Sequence, residues 1–533
     1  MTSESVYLKP DVVSEPLFNQ WYAWPYLISP VTSAIYVANS HLKIMRSFVA
    51  SPQVHVAALK NAAMLGGPFI NYDAARAGEI SELINKTVKE QGPMLELAEA
   101  IKSLDEMLQN EAVGHSLEPL YEKVPEPLKG YVELVYDMHN RPSFRLIEGL
   151  LYKSRYYNTD SQSIALYVAH EESRTFALSS PKLAGAEQLH IPLPFNSAAY
   201  DELFSMRHTP QPLSHIKSLL GVADEDDELF ASFFTTKMPR AGDDYAGDGV
   251  RIRYFGHACL LVESDDVSIL VDPVISYQSD EGMFRYTYDD LPAKIDYVLI
   301  THNHQDHCIF EVLLQLRHKI RHIVVPKSNG EGLLDPSLKL VLKNIGFASV
   351  HEIDELEEIT VAGGSITGLP FLGEHGDLNI RSKGAYVIKL RGRSIMCAAD
   401  SNNIEPRLYD HIHRCVGDVD VLFLGMECDG APLSWLYGPL LTRPLARKLD
   451  QSRRLDGSNC EKGLNIVSTL NPRHVYIYAM GQEPWLTFLT SIQYTDESRP
   501  IVESDKLVEQ CRRRDIETER LFGQKEIFLP PAN

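Results

Sequence analysis

Beyond residue 250 the chain alternates short apolar runs with stretches whose apolar residues recur every three or four positions. RIRYFGH, ACLLVES and VSILVDP come first, with the turn-like SDD before the third; DYVLIT, HIVVP, AYVIKLRG, SIMCAA, VDVLFLG and HVYIYAMG follow. Runs of this length, rich in Val, Ile and Tyr and closed by polar or Gly residues, predict strands. CIFEVLLQLRHKI carries helical spacing between two of them and predicts a helix. Interleaved in this order, they predict a layered α/β domain over about residues 250 to 533. The first half reads differently. Ile80, Leu83, Ile84 and Val88, then Leu97, Ile101, Leu104 and Leu108, predict two amphipathic helices between Glu79 and Glu111, broken at Gly92-Pro93. SIALYVAH and RTFALSS predict a strand pair with EES as its turn. Residues 237 to 250, KMPRAGDDYAGDGV, are rich in Gly and Asp without apolar periodicity and predict a linker. A chain of 533 residues exceeds one ordinary core. The expected division is an N-terminal α+β domain, 1–245, and a C-terminal domain, 246–533.

Composition narrows the class of partner. The formal net charge of −21 argues against nucleic acid and against anionic membranes, both of which need a basic surface. The seven cysteines are odd in number, absent before residue 259 and never spaced C-x-x-C, which argues against a disulfide framework or thiolate zinc site. They fit a reducing compartment. MTSESVYLKPDVVSEP lacks a signal pattern, and no apolar run approaches the roughly 18 residues of a membrane span. The expectation is a soluble cytoplasmic protein.

The chemistry gathers where DYVLIT runs into His302-Asn303-His304-Gln305-Asp306-His307. Two histidines two apart on extended backbone face the same side. Asp306 and His307, expected at a helix start, aim at a neighbouring point, so one segment offers ligands to two adjacent ions. Imidazole and carboxylate are ligands that first-row metals accept. This H-x-H-x-D-H pattern resembles that of the metallo-β-lactamase superfamily, as do GHACLLVES and the VDP at Val271 to Pro273. The resemblance implies an αββα sandwich with metals at the strand ends, and it makes Asp400, closing SIMCAAD, the bridging aspartate. The superfamily's third histidine belongs after GLPFLG, where this chain has Glu374 and His375. Either could bind; adjacent side chains on extended backbone diverge, so one of the two is expected. The last histidine belongs on a late strand, and in HVYIYAMGQEPW the one histidine is His474. It is preferred over His411 and His413, with Gln482 and Glu483 as spares.

Over most of its length the chain also resembles a smaller branch, the diiron β-hydroxylases of nonribosomal peptide pathways, typified by the chloramphenicol-pathway amino-acid hydroxylase. EPLFNQWYAWPYLISP, PQVHVAALKNAAMLGGPFI and the Gly-Glu-His-Gly-Asp run from Gly373 to Asp377 carry that resemblance. It implies Glu374 as a ligand with His302 and His304 on one iron, and Asp306, His307 and the late histidine on the other, with Asp400 between. It further implies two iron ions, O₂ as co-substrate, and hydroxylation at the β-carbon of an amino acid tethered to a peptide-synthetase carrier domain. An external reductase, and an N-terminal domain active in dimerisation or carrier docking, complete the implied partners. Anionic oxygen ligands suit iron and its oxidised states. A dinuclear zinc hydrolase acting on an ester, lactone or phosphodiester is the alternative, and a non-catalytic iron or oxygen sensor is a third reading.

Other residues carry plainer expectations. His257, Asp272 and His375 are read as supports that orient ligands by hydrogen bonding. Cys308 reads as a buried helix residue rather than a nucleophile. Trp435, Tyr437 and Trp485 are candidates for a substrate pocket or for core, and Trp21 to Trp24 as N-terminal packing.

Overall fold

The computed structural model describes residues 5–171, 174–240, 242–279, 283–330 and 332–532. Two seven-stranded sheets form its C-terminal half. In spatial order the first holds Val350–Ile353, Ile320–Pro326, Ile295–Leu299, Ser268–Val271, Cys259–Glu263, Val250–Gly256 and Lys525–Leu529. The second holds Glu358–Val361, Gly364–Leu369, Ala385–Leu390, Arg393–Cys397, Val421–Gly425, His474–Tyr478 and Glu517–Arg520. Each sheet is antiparallel on one side, and parallel from Ser268–Val271 or Arg393–Cys397 outward. Parallel strands end at a common edge, where an α/β sheet can present loops to a ligand.

Inward side chains of both sheets, among them Ile252, Tyr254, Val262, Ile269, Tyr386, Ile388, Phe423 and Tyr478, make one core between them. The outer face of the second sheet packs on the helices Arg407–Val416, Cys460–Leu470 and Arg499–Arg512. That of the first packs on Phe310–Leu316 and Leu338–Asn344 and continues into the N-terminal half. The architecture is therefore the expected αββα sandwich. Central strands such as Val250–Gly256 and Cys259–Glu263 are buried at every position, and the arginines of the first are admitted by pairing with Glu263 of the second, Arg251 at 3.1 Å and Arg253 at 3.0 Å.

In the first half the two expected helices are Ala77–Glu90 and Gly92–Glu111. The break falls at Gln91, and Pro93 sits in the first turn of the second helix, where its missing N–H has no partner to lose. Of the eight positions named for their apolar face, Val88 alone is exposed. The predicted strand pair is corrected. Gln162–Val168 is a strand, but it pairs with Val12–Phe18 and Leu189–Pro192, while residues 174–180 form no strand. Of the EES turn, residues 172 and 173 lie outside the described residues. No helix of the described residues is long and apolar enough to cross a membrane.

Residues 236–240 and 242–249 carry neither helix nor strand, and most are exposed. Both flanking regions contribute to one continuous apolar cluster, from Val6 to Leu489. Limited proteolysis is therefore expected to cut first between 237 and 248, giving fragments of about 27 and 33 kDa that stay together until denatured. Electrophoresis of native and denatured digests checks this; first cleavage within 290–400 would contradict it.

Candidate metal centre

The strand Ile295–Leu299 ends at a loop that places four ligand-type side chains within one turn. The His304 carbonyl accepts from the N–H groups of His307 and Cys308, at 3.2 and 3.0 Å, and the helix starts only at Phe310. Asp306 and His307 thus stand on a turn ahead of the helix. His302 and His304 converge as expected, with ring centroids 4.6 Å apart, and His307 lies 4.1 Å from His302. Asp272, closing Ser268–Val271, accepts from the Thr301 N–H at 2.7 Å and holds His307 Nδ1 at 2.8 Å.

From the second sheet, Asp400 reaches His307 Nε2 at 2.9 Å and His302 Nε2 at 3.8 Å. Gly425 makes room for it: a β-carbon there would stand 2.6 Å from the Ala399 carbonyl and 2.8 Å from Asp400 Oδ1. Glu374 Oε2 lies 3.0 Å from His304 Nδ1 and 3.9 Å from His302 Nε2. The other nitrogen of His304 shares a 2.7 Å hydrogen bond with the Tyr437 hydroxyl, leaving Nδ1 for a metal.

Three groups could each hold an ion: His302, His304 and Glu374; His302, His307 and Asp400; and His257, Asp306 and His307. Their shared histidines put them side by side. His257 Nε2, His302 Nε2, His307 Nε2, Glu374 Oε2 and Asp400 Oδ1 are buried without a hydrogen-bond partner, the condition of atoms built to meet a cation.

Two expectations are corrected. His474 opens its strand opposite Val421, while the site lies past the far ends of the parallel strands, and it pairs with Glu517 at 3.2 Å. It is therefore not brought to the cluster, and neither is Glu483, which takes the Tyr254 hydroxyl. His257, expected only to orient a ligand, is in the cluster, with Nε2 3.4 Å from Asp306 Oδ2 and Nδ1 accepting from the Gly481 N–H at 3.1 Å. The premise about Glu374 and His375 also fails, because residues 373–377 are not extended. Gly373, Glu374, Gly376 and Asp377 all take left-handed φ, so both side chains turn the same way and His375 Nδ1 lies 3.3 Å from Glu374 Oε2. His375 stacks on His304 at 4.5 Å. His257, Asp272, Glu374 and Ala399 share positive φ, and backbone strain of this kind gathers at functional sites.

Burial, then the neighbouring imidazoles, hold His302 well below the ordinary imidazole range, so it is a neutral ligand. Burial alone would raise Asp306, but His257 and His307 keep its carboxyl well below the usual range. Burial pushes Glu374 upward, against the pull of His304. Burial works against a proton on His307, yet Asp400 and Asp272 hold one there well above the ordinary range, and a metal cation would take that proton's place.

A cavity of about 320 Å³ opens from these ligands, walled by Leu65, Trp435, Leu436, Leu455 and Ile492, with Glu427, Asp429 and Arg454 among its polar residues. Glu427 escaped the sequence reading, although it follows the strand Val421–Gly425 as Asp400 follows its own. Burial first, then Asp400, Asp306 and Glu374, raise its carboxyl well above the ordinary range. Trp435 lines this cavity; Trp485 instead packs against Gly256. The first half also reaches the site unannounced: Asn303 donates to the Tyr26 hydroxyl at 3.2 Å, and the Tyr26 ring stands 6.2 Å from Tyr437. Cys308 is fully buried and its thiol is pushed well up by burial, as suits packing.

This fold with this cluster defines a dinuclear metalloprotein of the metallo-β-lactamase type. A model described as the diiron non-heme beta-hydroxylase N-terminal domain matches residues 7–238, and one described as a beta-lactamase superfamily domain matches 268–431. The 4-amino-L-phenylalanyl-[CmlP-peptidyl-carrier-protein] 3-hydroxylase of Streptomyces venezuelae is 40% identical over 532 residues, 98% of this chain and 99% of that one. The crystal structure of CmlA, a diiron beta-hydroxylase from Streptomyces venezuelae, is similar with a TM-score of 0.93 at 38% identity, over 99% of this chain and 100% of that one. A mutant of CmlA beta-hydroxylase gives 0.91 at 39% identity, over 98% and 100%. The chain belongs to the diiron non-haem β-hydroxylase family. It is a non-haem diiron hydroxylase, and its centre takes two iron ions.

Proposed function

We propose that this enzyme hydroxylates the β-carbon of an amino acid held as a thioester on the carrier domain of a nonribosomal peptide synthetase. The observation that carries the reading is Glu374, whose carboxylate stands 3.0 Å from His304 Nδ1 where a hydrolase of this fold has an imidazole. An added anionic oxygen ligand favours oxidised iron, whereas zinc hydrolysis needs a Lewis-acidic ion that acidifies water.

His302, His304 and Glu374 would hold one iron, and His257, Asp306 and His307 the other, with Asp400, which faces both His302 and His307, available to either. Bound iron supplies the O₂-activating redox chemistry. The protein's own groups do the rest. Asp272 fixes the ring of His307 through Nδ1, and Tyr437 fixes that of His304 through Nε2. The apolar walls of the cavity hold the amino-acid side chain and exclude water beside the ligands. Two electrons come from a separate reductase, and the chain forms a homodimer through residues 1–245. All seven cysteines are free, which supports a reducing cytoplasm.

The test is metal analysis with visible spectroscopy of protein expressed without added zinc. About two irons per chain and an absorption that bleaches on reduction are expected; two zinc ions and no such absorption would overturn the reading. Free amino acid is expected to be turned over far more slowly than the carrier-bound thioester, because the carrier adds contacts remote from the reacting carbon. Equal rates in a competition assay would remove the carrier from the proposal.

A further inference from the structure

The chain as a whole is strongly acidic, yet residues 443–454 hold five cations, Arg443, Arg447, Lys448, Arg453 and Arg454, against one carboxylate, Asp450. This segment leaves the cavity wall after Leu436 and Tyr437 and returns to it at Arg454 and Leu455. Its base is fixed: the Leu433 N–H donates to the Arg453 carbonyl and the Leu455 N–H to the Ala431 carbonyl, at 2.8 and 2.9 Å. Asp450 ties the helix Arg447–Ser452 to the helix Leu433–Tyr437, accepting from the Ser434 N–H at 2.8 Å and its hydroxyl at 2.7 Å. The second of these helices carries Trp435 and Leu436 into the cavity and Tyr437 against His304.

The cations divide into two sorts. Arg453 is held by the Gly376 carbonyl, to which it donates at 2.7 Å, and Arg454 belongs to the wall, facing Asp429 at 3.3 Å. Arg443, Arg447 and Lys448 are exposed and have no ion-pair or hydrogen-bond partner among the described residues, and Leu449 between them and Asp450 is 55% exposed. The run Arg512-Arg513-Arg514 makes a useful contrast. There each guanidinium is engaged, by the Thr518 carbonyl, Glu509 and Ser468 respectively. Unpaired cations on a segment whose ends adjoin the cavity wall, in a chain of net charge −21, attract an anionic partner by long-range steering.

We propose that Arg443, Arg447 and Lys448, with Leu449, form the docking surface for an acidic carrier domain, the phosphodiester of its pantetheine arm entering between them and Arg454. The inference rests on the carrier-bound substrate proposed above. That arm begins at a phosphodiester, so the entrance must receive a negative charge just outside an apolar cavity. An exposed leucine amid the cations suits a protein face rather than a free anion.

The experiment titrates the iron-loaded full chain with a phosphopantetheinylated carrier domain at low and high salt, by calorimetry and stopped flow. Combined Arg443→Glu, Arg447→Glu and Lys448→Glu is expected to weaken binding about 10- to 100-fold, mainly through the association rate, and to flatten its salt dependence. Iron content and visible spectrum report that the variant is folded. The charge-preserving set Arg443→Lys, Arg447→Lys and Lys448→Arg is expected to bind like the parent. If the reversed variant binds the carrier as the parent does, the docking surface is wrong and the substrate reading stands. If the parent itself neither binds the carrier nor hydroxylates its amino acid, the substrate reading fails and the docking surface with it.

Discussion

Replacing Glu374 with histidine is expected to leave two metals bound and to lower hydroxylation by more than roughly 100-fold. The exchange removes one negative charge from a site where Glu374 Oε2 already faces His304 and His302 at 3.0 and 3.9 Å. A less anionic ligand set raises the reduction potential of bound iron and disfavours the oxidised states that O₂ chemistry requires. Backbone strain does not confound the comparison much, since histidine is among the residues that accept a φ of +67°. His375→Ala is the companion variant. Its ring stacks on His304 and faces Glu374, so its loss is expected to cost roughly 10- to 100-fold, as loss of a supporting contact does. Metal counting and a hydroxylation assay on one loaded substrate read both. If His375→Ala empties a site while Glu374→His stays active, the two roles are exchanged.

Removing the His257 imidazole is expected to take the metal content from about two towards one per chain and to suppress hydroxylation beyond the roughly 100-fold cost of a lost support. Asparagine is the replacement of choice, because it tolerates the φ of +50° that His257 adopts between its two strands. His474→Asn is expected to change neither quantity, since that ring sits at the opposite end of its strand beside Glu517. Loss of metal from the His474 variant, with none from the His257 variant, would restore the late-strand ligand.

These two residues show where the sequence was legible and where it was not. The motif from His302 to His307 declares itself because all four side chains come from one loop after one strand, so spacing alone fixes their convergence. Asp400 comes only through the resemblance to the superfamily; the structure sets it after Arg393–Cys397, at the edge where the parallel strands end. His257 was not legible. It follows the strand Val250–Gly256, and only the left-handed bend at Gly256 and His257 turns its ring inward towards Asp306, an orientation that no periodicity records. At Glu374 a similar bend removes the extended-backbone argument, which leaves Glu374 and His375 open; the choice of Glu374 comes from the resemblance. In the first half, Val12–Phe18 is a fully buried strand disguised by Ser14, Glu15 and Pro16. Glu15 is admitted to the interior by Lys182 at 2.9 Å and Arg174 at 3.2 Å, partners that lie more than a hundred and fifty residues away in sequence. Local patterning cannot see such a pairing.

The central claim is that the centre activates O₂ for insertion into carbon rather than water for hydrolysis. A single turnover of the reduced, iron-loaded chain with an aminoacyl carrier domain under ¹⁸O₂, read by mass spectrometry of the product, tests it most directly. One labelled oxygen at the β-carbon and an intact thioester are expected. An unlabelled amino acid released from the carrier, with no gain of oxygen at carbon, would contradict it and make the zinc-type hydrolase the better description.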